Sequence, residues 1–204
     1  MVYKITQSKE RPAASLLTML RLESDFLDSE ADKLLNYCLS LQNWERESLS
    51  IFGKNIQLPR LVVAYSDCHQ NYAYSRITHK NNPLTQTFNN LLERVSSHLN
   101  IEFNHLLLNL YRDGTNSIGW HSDNEKQLGN EINVAMLSLG VSRIFKIKHL
   151  PSKKIISFKL KHGSLLLMKH PFQVSWNHCL PKMPSIKDLR ISITFRKIIE
   201  KKDQ

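Results

Sequence analysis

Arg190-Ile191-Ser192-Ile193-Thr194-Phe195-Arg196 alternates polar and apolar residues along its whole length. Alternation with period two marks a β-strand, because successive side chains leave opposite faces of a sheet. Ile191, Ile193 and Phe195 line one face, while Arg190 and Arg196, an even six positions apart, share the other. The surrounding chain repeats the pattern. After Ile101 it reads as short strands between turn signals: Asn104 to Tyr111, Ile132 to Leu139, Ser142 to His149, Ile155 to Leu160, Ser164 to Met168, Val174 to Cys179, and Leu189 to Ile198. Many short strands imply a sandwich or a barrel.

Upstream the periodicity changes. Leu16, Leu17, Leu20, Leu22, Phe26, Leu27, Leu34, Leu35 and Leu39 recur at three- and four-residue steps between Ala13 and Leu41, with a break at Asp28-Ser29. Two helices are expected there, the second capped by Asp28 or Ser29. From Ser48 to Thr78 the runs are β-like, as in Arg60 to Tyr65, punctuated by Gly53 and Pro59. A further helix is expected from Pro83 to Leu99, with Pro83 in its first turn and Phe88, Leu91, Leu92 and Val95 on one face. The 204 residues suit a single domain: a helical extension over 1–47, a β and loop region with a supporting helix over 48–100, and a core over 101–200.

Composition narrows the partners. Lys and Arg number 28 against 18 Asp and Glu, a formal charge of +10, which favours a polyanionic partner, nucleic acid before an anionic membrane. The chain has no run of some 18 apolar residues and no apolar signal core near Met1, so an intracellular protein without a membrane span is expected, cytoplasmic in a bacterium or nuclear in a eukaryote. A monomer is expected. Cys38, Cys68 and Cys179 are odd in number and far apart, and they read as reduced thiols.

Two distant stretches hold metal-ligating types. His121 and Asp123 in Trp120-His121-Ser122-Asp123 are two apart and share a face in a strand, and His178 follows in Trp176-Asn177-His178. Taken singly, a His-x-Asp pair also fits a surface histidine beside a turn carboxylate, and His178 also fits a core histidine between Val174, Trp176 and Leu180. Taken together they form a 2-His-1-carboxylate set, which binds one face of an octahedral Fe(II) and leaves positions open for O2 and a co-substrate. The arginine pair fits either a solvated sheet face or, beside such a metal, a site for an anion. The guanidinium fork of Arg190 matches the carboxylate of a dicarboxylate co-substrate.

The run Asn109-Leu110-Tyr111 through Gly114 and Trp120-His121-Ser122-Asp123-Asn124-Glu125, with Trp176 to Pro181 and Arg190 to Arg196, resembles the AlkB family of Fe(II)/2-oxoglutarate-dependent dealkylating dioxygenases. The resemblance extends from about Ile51 to Ile198. It implies an α+β, mainly β fold: a jelly-roll, or double-stranded β-helix, cupin-like core with N-terminal helices and a nucleotide-recognition β/loop region. It also implies His121, Asp123 and His178 as iron ligands and Asn109, Tyr111, Arg190, Thr194 and Arg196 around 2-oxoglutarate. Ser192 departs from the family's usual Asn and alters the hydrogen bonding expected there.

A finer likeness, carried by Ile51-Phe52-Gly53-Lys54, Pro59-Arg60 and Tyr65-Ser66-Asp67, is to the branch that repairs double-stranded DNA. By that likeness Phe52 is an apolar finger inserted into the duplex, Tyr74 stacks on the flipped base, Tyr72 bonds the phosphate or base edge, and Glu125 meets the exocyclic amine. The implied reaction hydroxylates the N-methyl group of 1-methyladenine or 3-methylcytosine, releases formaldehyde and leaves succinate and CO2. Lys54, Arg60, Arg76, Lys182 and Lys187 are the residues expected on the DNA backbone. Single-stranded DNA, RNA or tRNA are the alternative substrates, and a non-catalytic binding protein is the alternative role.

Overall fold

The structure, a computed structural model, describes residues 14–51, 54–67, 72–74 and 77–199, with backbone only for 14–15, 49–51, 54–55, 72–74 and 77–79. In chain order the elements are α1 (Ala14–Met19), β1 (Leu20–Glu23), α2 (Ala31–Leu39), β2 (Glu45–Ile51), β3 (Lys54–Ser66), β4 (Tyr72–Tyr74), β5 (Ile77–His79), β6 (Asn81–Asn82), α3 (Gln86–Leu99) and β7 (His105–Tyr111). Then follow β8 (Ile118–His121), β9 (Val134–Gly140), β10 (Arg143–His149), β11 (Ile155–Leu160), β12 (Ser164–Met168), α4 (Phe172–Ser175), β13 (Trp176–Leu180) and β14 (Arg190–Arg196).

Among the described residues the strands form a large sheet in the order β1-β12-β9-β14-β7-β3-β2, with β6 beside β3, a facing sheet β11-β10-β13-β8, and the hairpin β4-β5. The two facing antiparallel sheets are the expected jelly roll. The central strands are buried along their length because both faces are covered. One side of β14, Ile191, Ile193 and Phe195, packs with Leu106, Leu108, Leu137 and Leu165 against α2 and α3, where Phe88, Leu91 and Val95 complete the layer. The other side faces the small sheet, where Phe145, Ile147, Phe158 and Leu180 pack with Val134, Met136 and Leu166.

Several boundaries differ from the sequence expectation, each for a local reason. The first expected helix lasts six residues and turns into β1, whose Leu20 and Leu22 are buried and pair with Met168 and Leu166 of β12. Leucines two apart serve a strand as well as a helix, and the open edge of β12 selects the strand. Neither Asp28 nor Ser29 caps α2: a 3-10 turn at Asp28–Glu30 leads into it, with Ala31 N–H donating to the Asp28 carbonyl and no side-chain cap. Thr85 caps α3, accepting from Phe88 N–H at 3.3 Å, so Pro83 precedes the helix. Pro59 lies inside β3, where the β2–β3 register shifts between Arg46 and Ser48 and the missing N–H is tolerated. Before β13 the chain makes the short helix α4, with Val174 69 % exposed rather than packed.

Gly114, between β7 and β8, marks the tightest crossing near the site. Its N–H donates to the Ile186 carbonyl at 2.9 Å and its carbonyl accepts from Met183 N–H at 2.7 Å. A Cβ there would lie 1.8 Å from the Met183 carbonyl oxygen, a backbone atom that cannot swing aside. Gly114→Ala is therefore expected to destabilise the fold by about 1–3 kcal/mol, read as a lower urea midpoint with an unchanged slope. A midpoint equal to the parent's contradicts that crossing.

Candidate active site

The last residue of β8, His121, stands opposite His178 of β13 in the strand register. Their ring centroids are 4.1 Å apart with the planes at 61°. Asp123 follows two residues after His121, and its backbone N–H donates to the buried Gln173 Oε1 of α4 at 3.0 Å. One ligand atom from each of the three residues lies within 4.8 Å of the others. The expected triad is thus assembled by one strand pair and the turn after β8.

The protonation states suit metal binding. The His121 Nδ1–H donates to the Gly119 carbonyl at 2.8 Å, so the ring lone pair is on Nε2, 3.9 Å from Asp123 Oδ1. Burial holds His121 below the usual histidine range and drives His178 down to about 3, in each case by opposing the charged form. Burial pushes the Asp123 carboxyl up, but the charged Arg196 guanidinium outweighs it and holds the group below the carboxylate range. Arg196 donates through Nε at 3.1 Å and Nη2 at 2.8 Å to Asp123 Oδ2. At neutral pH the set is two neutral imidazoles and one carboxylate. Asp123 Oδ1 and His178 Nδ1 are buried with no hydrogen-bond partner among the described residues, an arrangement that costs stability unless a further group meets them. Two nitrogens and one oxygen fit Fe(II).

Beside the triad the cavity is lined by Asn109 and Tyr111 of β7 and by Arg190, Ser192 and Thr194 of β14. Arg190 is 1 % exposed; its guanidinium lies 5.4 Å from the Tyr111 ring and donates to Ser138 Oγ at 2.8 Å. Burial lowers it to about 10, still cationic at neutral pH, and no carboxylate pairs with it among the described residues. A buried guanidinium without an anion calls for one from a ligand.

Other site expectations fall out differently. Arg60 is 5 % exposed and donates through Nε to Asn109 Oδ1 at 2.7 Å, which ties it to a residue of the cavity wall. The Arg196 donors just described lie on the aspartate, while its side chain also lines the cavity. Glu125 is half-buried between β8 and β9 and is not part of the cavity lining. Lys182 and Lys187 are exposed after β13, with Lys187 Nζ donating to the Pro184 carbonyl at 3.0 Å. Phe52 and Arg76 lie outside the described residues, as do the side chains of Lys54, Tyr72 and Tyr74.

Two supporting residues escaped the sequence reading. Gln173 bonds the Asp123 backbone from α4 and left no periodic signal. Arg143, fully buried, donates to the carbonyls of Asp113 at 3.1 Å, Asn116 at 2.9 Å and Pro181 at 2.8 Å, tying the chain ahead of β8 to the chain after β13. Its two-residue spacing from Phe145 and Ile147 on the inward face of β10 was a readable signal.

Residues 19–196 match the 2OG-Fe(II) oxygenase superfamily. The chain is 31% identical to the DNA oxidative demethylase ALKBH2 of Homo sapiens, over 88% of this chain and 70% of the relative. With the same protein of Bos taurus it shares 31% identity, over 88% of this chain and 66% of the relative. With the alpha-ketoglutarate-dependent dioxygenase alkB homolog 3 of Homo sapiens it shares 33%, over 85% of this chain and 64% of the relative. The chain therefore spans about two thirds of the length of these relatives. The solved structure of OsALKBH1 superposes with a TM-score of 0.65 at 15% identity, over 88% of this chain and 96% of that one, a likeness of fold.

Arg196→Met leaves Asp123 without its charged partner while removing no ligand atom. The expected outcome is a loss of roughly 10–100-fold in affinity for Mn(II) or Fe(II), measured by anaerobic titration with tryptophan emission as the signal. Unchanged affinity would mean that the Arg196–Asp123 pair does not prepare the site.

Proposed function

Because this chain belongs to the 2OG-Fe(II) oxygenase superfamily, in its AlkB family, we propose that it is an oxidative demethylase that removes N-linked methyl groups from nucleic-acid bases. The observation that carries this reading is a single cavity that joins the His121, Asp123 and His178 ligand set to a buried Arg190 without a carboxylate partner. His121, Asp123 and His178 would hold Fe(II), which together with 2-oxoglutarate and O2 supplies the two-electron oxidation that places a hydroxyl on the methyl carbon. The hydroxymethyl group then leaves as formaldehyde and restores the base, while 2-oxoglutarate ends as succinate and CO2.

The chain's own groups prepare that chemistry. Arg190 offers its guanidinium to the distal carboxylate of 2-oxoglutarate, with Tyr111 beneath it and Ser138 fixing its orientation. Arg60 holds the Asn109 side chain so that its amide NH2 remains as a donor toward the cavity. Arg196 keeps Asp123 ionised, and the sheet interior excludes bulk water from all of them. Thr194 and Ser192 supply hydroxyls on the same wall.

The substrate in this reading is alkylated DNA, with 1-methyladenine and 3-methylcytosine as the bases whose flipping costs least because the methyl weakens their pairing. The formal charge of +10 supports a polyanion. Ile51-Phe52-Gly53-Lys54 supports a duplex as one substrate form, with Phe52 filling the gap left by the base. The protein acts in this reading as an intracellular monomer.

The test is turnover on duplex DNA with a single 1-methyladenine, with single-stranded DNA and RNA of the same sequence in parallel. Restored adenine with stoichiometric formaldehyde is expected, abolished in Asp123→Ala. If 2-oxoglutarate binds but none of the three oligonucleotides is demethylated, the substrate assignment is wrong.

A further inference from the structure

The end of β9 outlasts the strand beside it. Ser138 is paired with Ser164, the first residue of β12, and the Gly163 N–H adds one more bond to the Ser138 carbonyl at 2.8 Å. Gly140 stands two residues further on, so its N–H leaves the strand toward the same side, where β12 no longer runs. His162, in the turn between β11 and β12, stands in for the missing strand: its Nδ1 accepts from the Gly140 N–H at 2.9 Å. A ring that accepts at Nδ1 is neutral and carries its proton on Nε2, which lies 3.3 Å from Asp32 Oδ1 of α2. That aspartate is 86 % exposed and adds little to holding the ring. The bond to Gly140 is the one with consequences.

Gly140 is Arg190's partner in the register between β9 and β14. Its φ of +84° and the 2.5 Å that would separate a Cβ from the Leu189 carbonyl oxygen show how closely the two backbones pass. The next residue, Val141, donates its N–H to that same carbonyl at 2.9 Å, so the end of β9 sets where the chain enters Arg190. Two residues back, Ser138 Oγ accepts from Arg190 Nη2 at 2.8 Å. The β11–β12 turn therefore grips the Ser138–Gly140 segment at both ends, Gly163 on the Ser138 carbonyl and His162 on the Gly140 N–H. A histidine that accepts from a backbone N–H ordinarily closes a turn and nothing more. Here the strand end that it closes carries both the hydroxyl that aims the guanidinium and the backbone that faces it.

Resting on the reading in which Arg190 receives 2-oxoglutarate, we propose that His162 is a positioning residue for the co-substrate, acting on Arg190 through Gly140 and Ser138. His162 is neither a residue of the triad nor part of the cavity lining. Without its acceptor the Gly140 N–H loses its bond, the end of β9 shifts, and Ser138 Oγ no longer fixes the guanidinium toward the distal carboxylate. The triad, held by β8, β13 and Arg196, is left as it was.

The test is calorimetric titration of the full chain with Mn(II) and then, on the Mn(II)-loaded protein, with 2-oxoglutarate. His162→Leu, which puts a methyl group where Nδ1 was, is expected to weaken 2-oxoglutarate by about tenfold with Mn(II) affinity equal to the parent's. His162→Asn restores an acceptor at the Nδ1 position without Nε2, and is expected to bind 2-oxoglutarate within about twofold of the parent. In an Arg190→Met background, His162→Leu is expected to change 2-oxoglutarate affinity less than twofold, because its effect runs through the guanidinium. Should His162→Leu fail to fold, His162→Gln, whose amide lies one bond beyond the Nδ1 position, takes its place with the same expectation. Parental 2-oxoglutarate affinity in the Leu or Gln variant would overturn the proposal. So would a loss shared with Mn(II), a loss undiminished in the Arg190→Met background, or no recovery with Asn. Binding is read without turnover: a parent that binds 2-oxoglutarate, responds to these substitutions and demethylates nothing would refute the demethylase reading alone, whereas a parent that does not bind 2-oxoglutarate would overturn both.

Discussion

A guanidinium inside a protein needs a negative partner, and β14 brings two of them into one interior. Arg190 and Arg196 share the inward face of a strand that is paired on both edges, so neither can leave without breaking the large sheet. Arg196 is answered within the chain by Asp123, and this ion pair both pins the turn after β8 and keeps the carboxylate ionised although it is buried. Among the described residues Arg190 meets the Ser138 hydroxyl, the Met136 thioether and the Tyr111 side chain, none of them an anion. In the proposed reading Arg196 prepares the metal ligand and Arg190 receives the co-substrate. One strand thereby sets the spacing between the two halves of the chemistry.

The remaining structure keeps these groups in place. The rung that sets His121 across from His178 continues to Ile118 and Leu180, with a shift of register between. Arg143 stands just beyond, bonding carbonyls from both connecting segments, and the Gly114 crossing locks the same segments together. On the far side of the large sheet, α2 and α3 cover Ile191, Ile193 and Phe195, which keeps β14 from tilting its arginines toward water. Bonds of this kind fix the segments that carry the ligands and so organise the site in advance.

Much of this was legible in the residues because it rests on period two. The alternation in β14 placed both arginines, and the His-x-Asp step placed two ligands at a strand end. The number of short strands pointed to a sandwich or a barrel, and the family resemblance narrowed that to the jelly roll. What stayed hidden depends on contacts between distant segments. Arg60 looked like a surface cation because its charge carries no mark of its partner, and only the pairing of β3 with β7 sets it beside Asn109. The leucines of Ala13 to Leu22 fit two periods at once, and the free edge of β12 decided between them. Gln173 acts through a single bond to a backbone that is fifty positions away in sequence, which no local pattern encodes.

The central claim is that Arg190 and the triad form one site for a metal and a dicarboxylate. Anaerobic addition of Fe(II) and 2-oxoglutarate, followed by visible absorption, tests it most directly, since chelation of ferrous iron by a 2-oxo acid produces a metal-to-ligand charge-transfer band. The account predicts a band that needs both components, is absent in Asp123→Ala, and requires far more 2-oxoglutarate in Arg190→Met. A parent protein that gives no band with both components present, or a band indifferent to Arg190→Met, would contradict it.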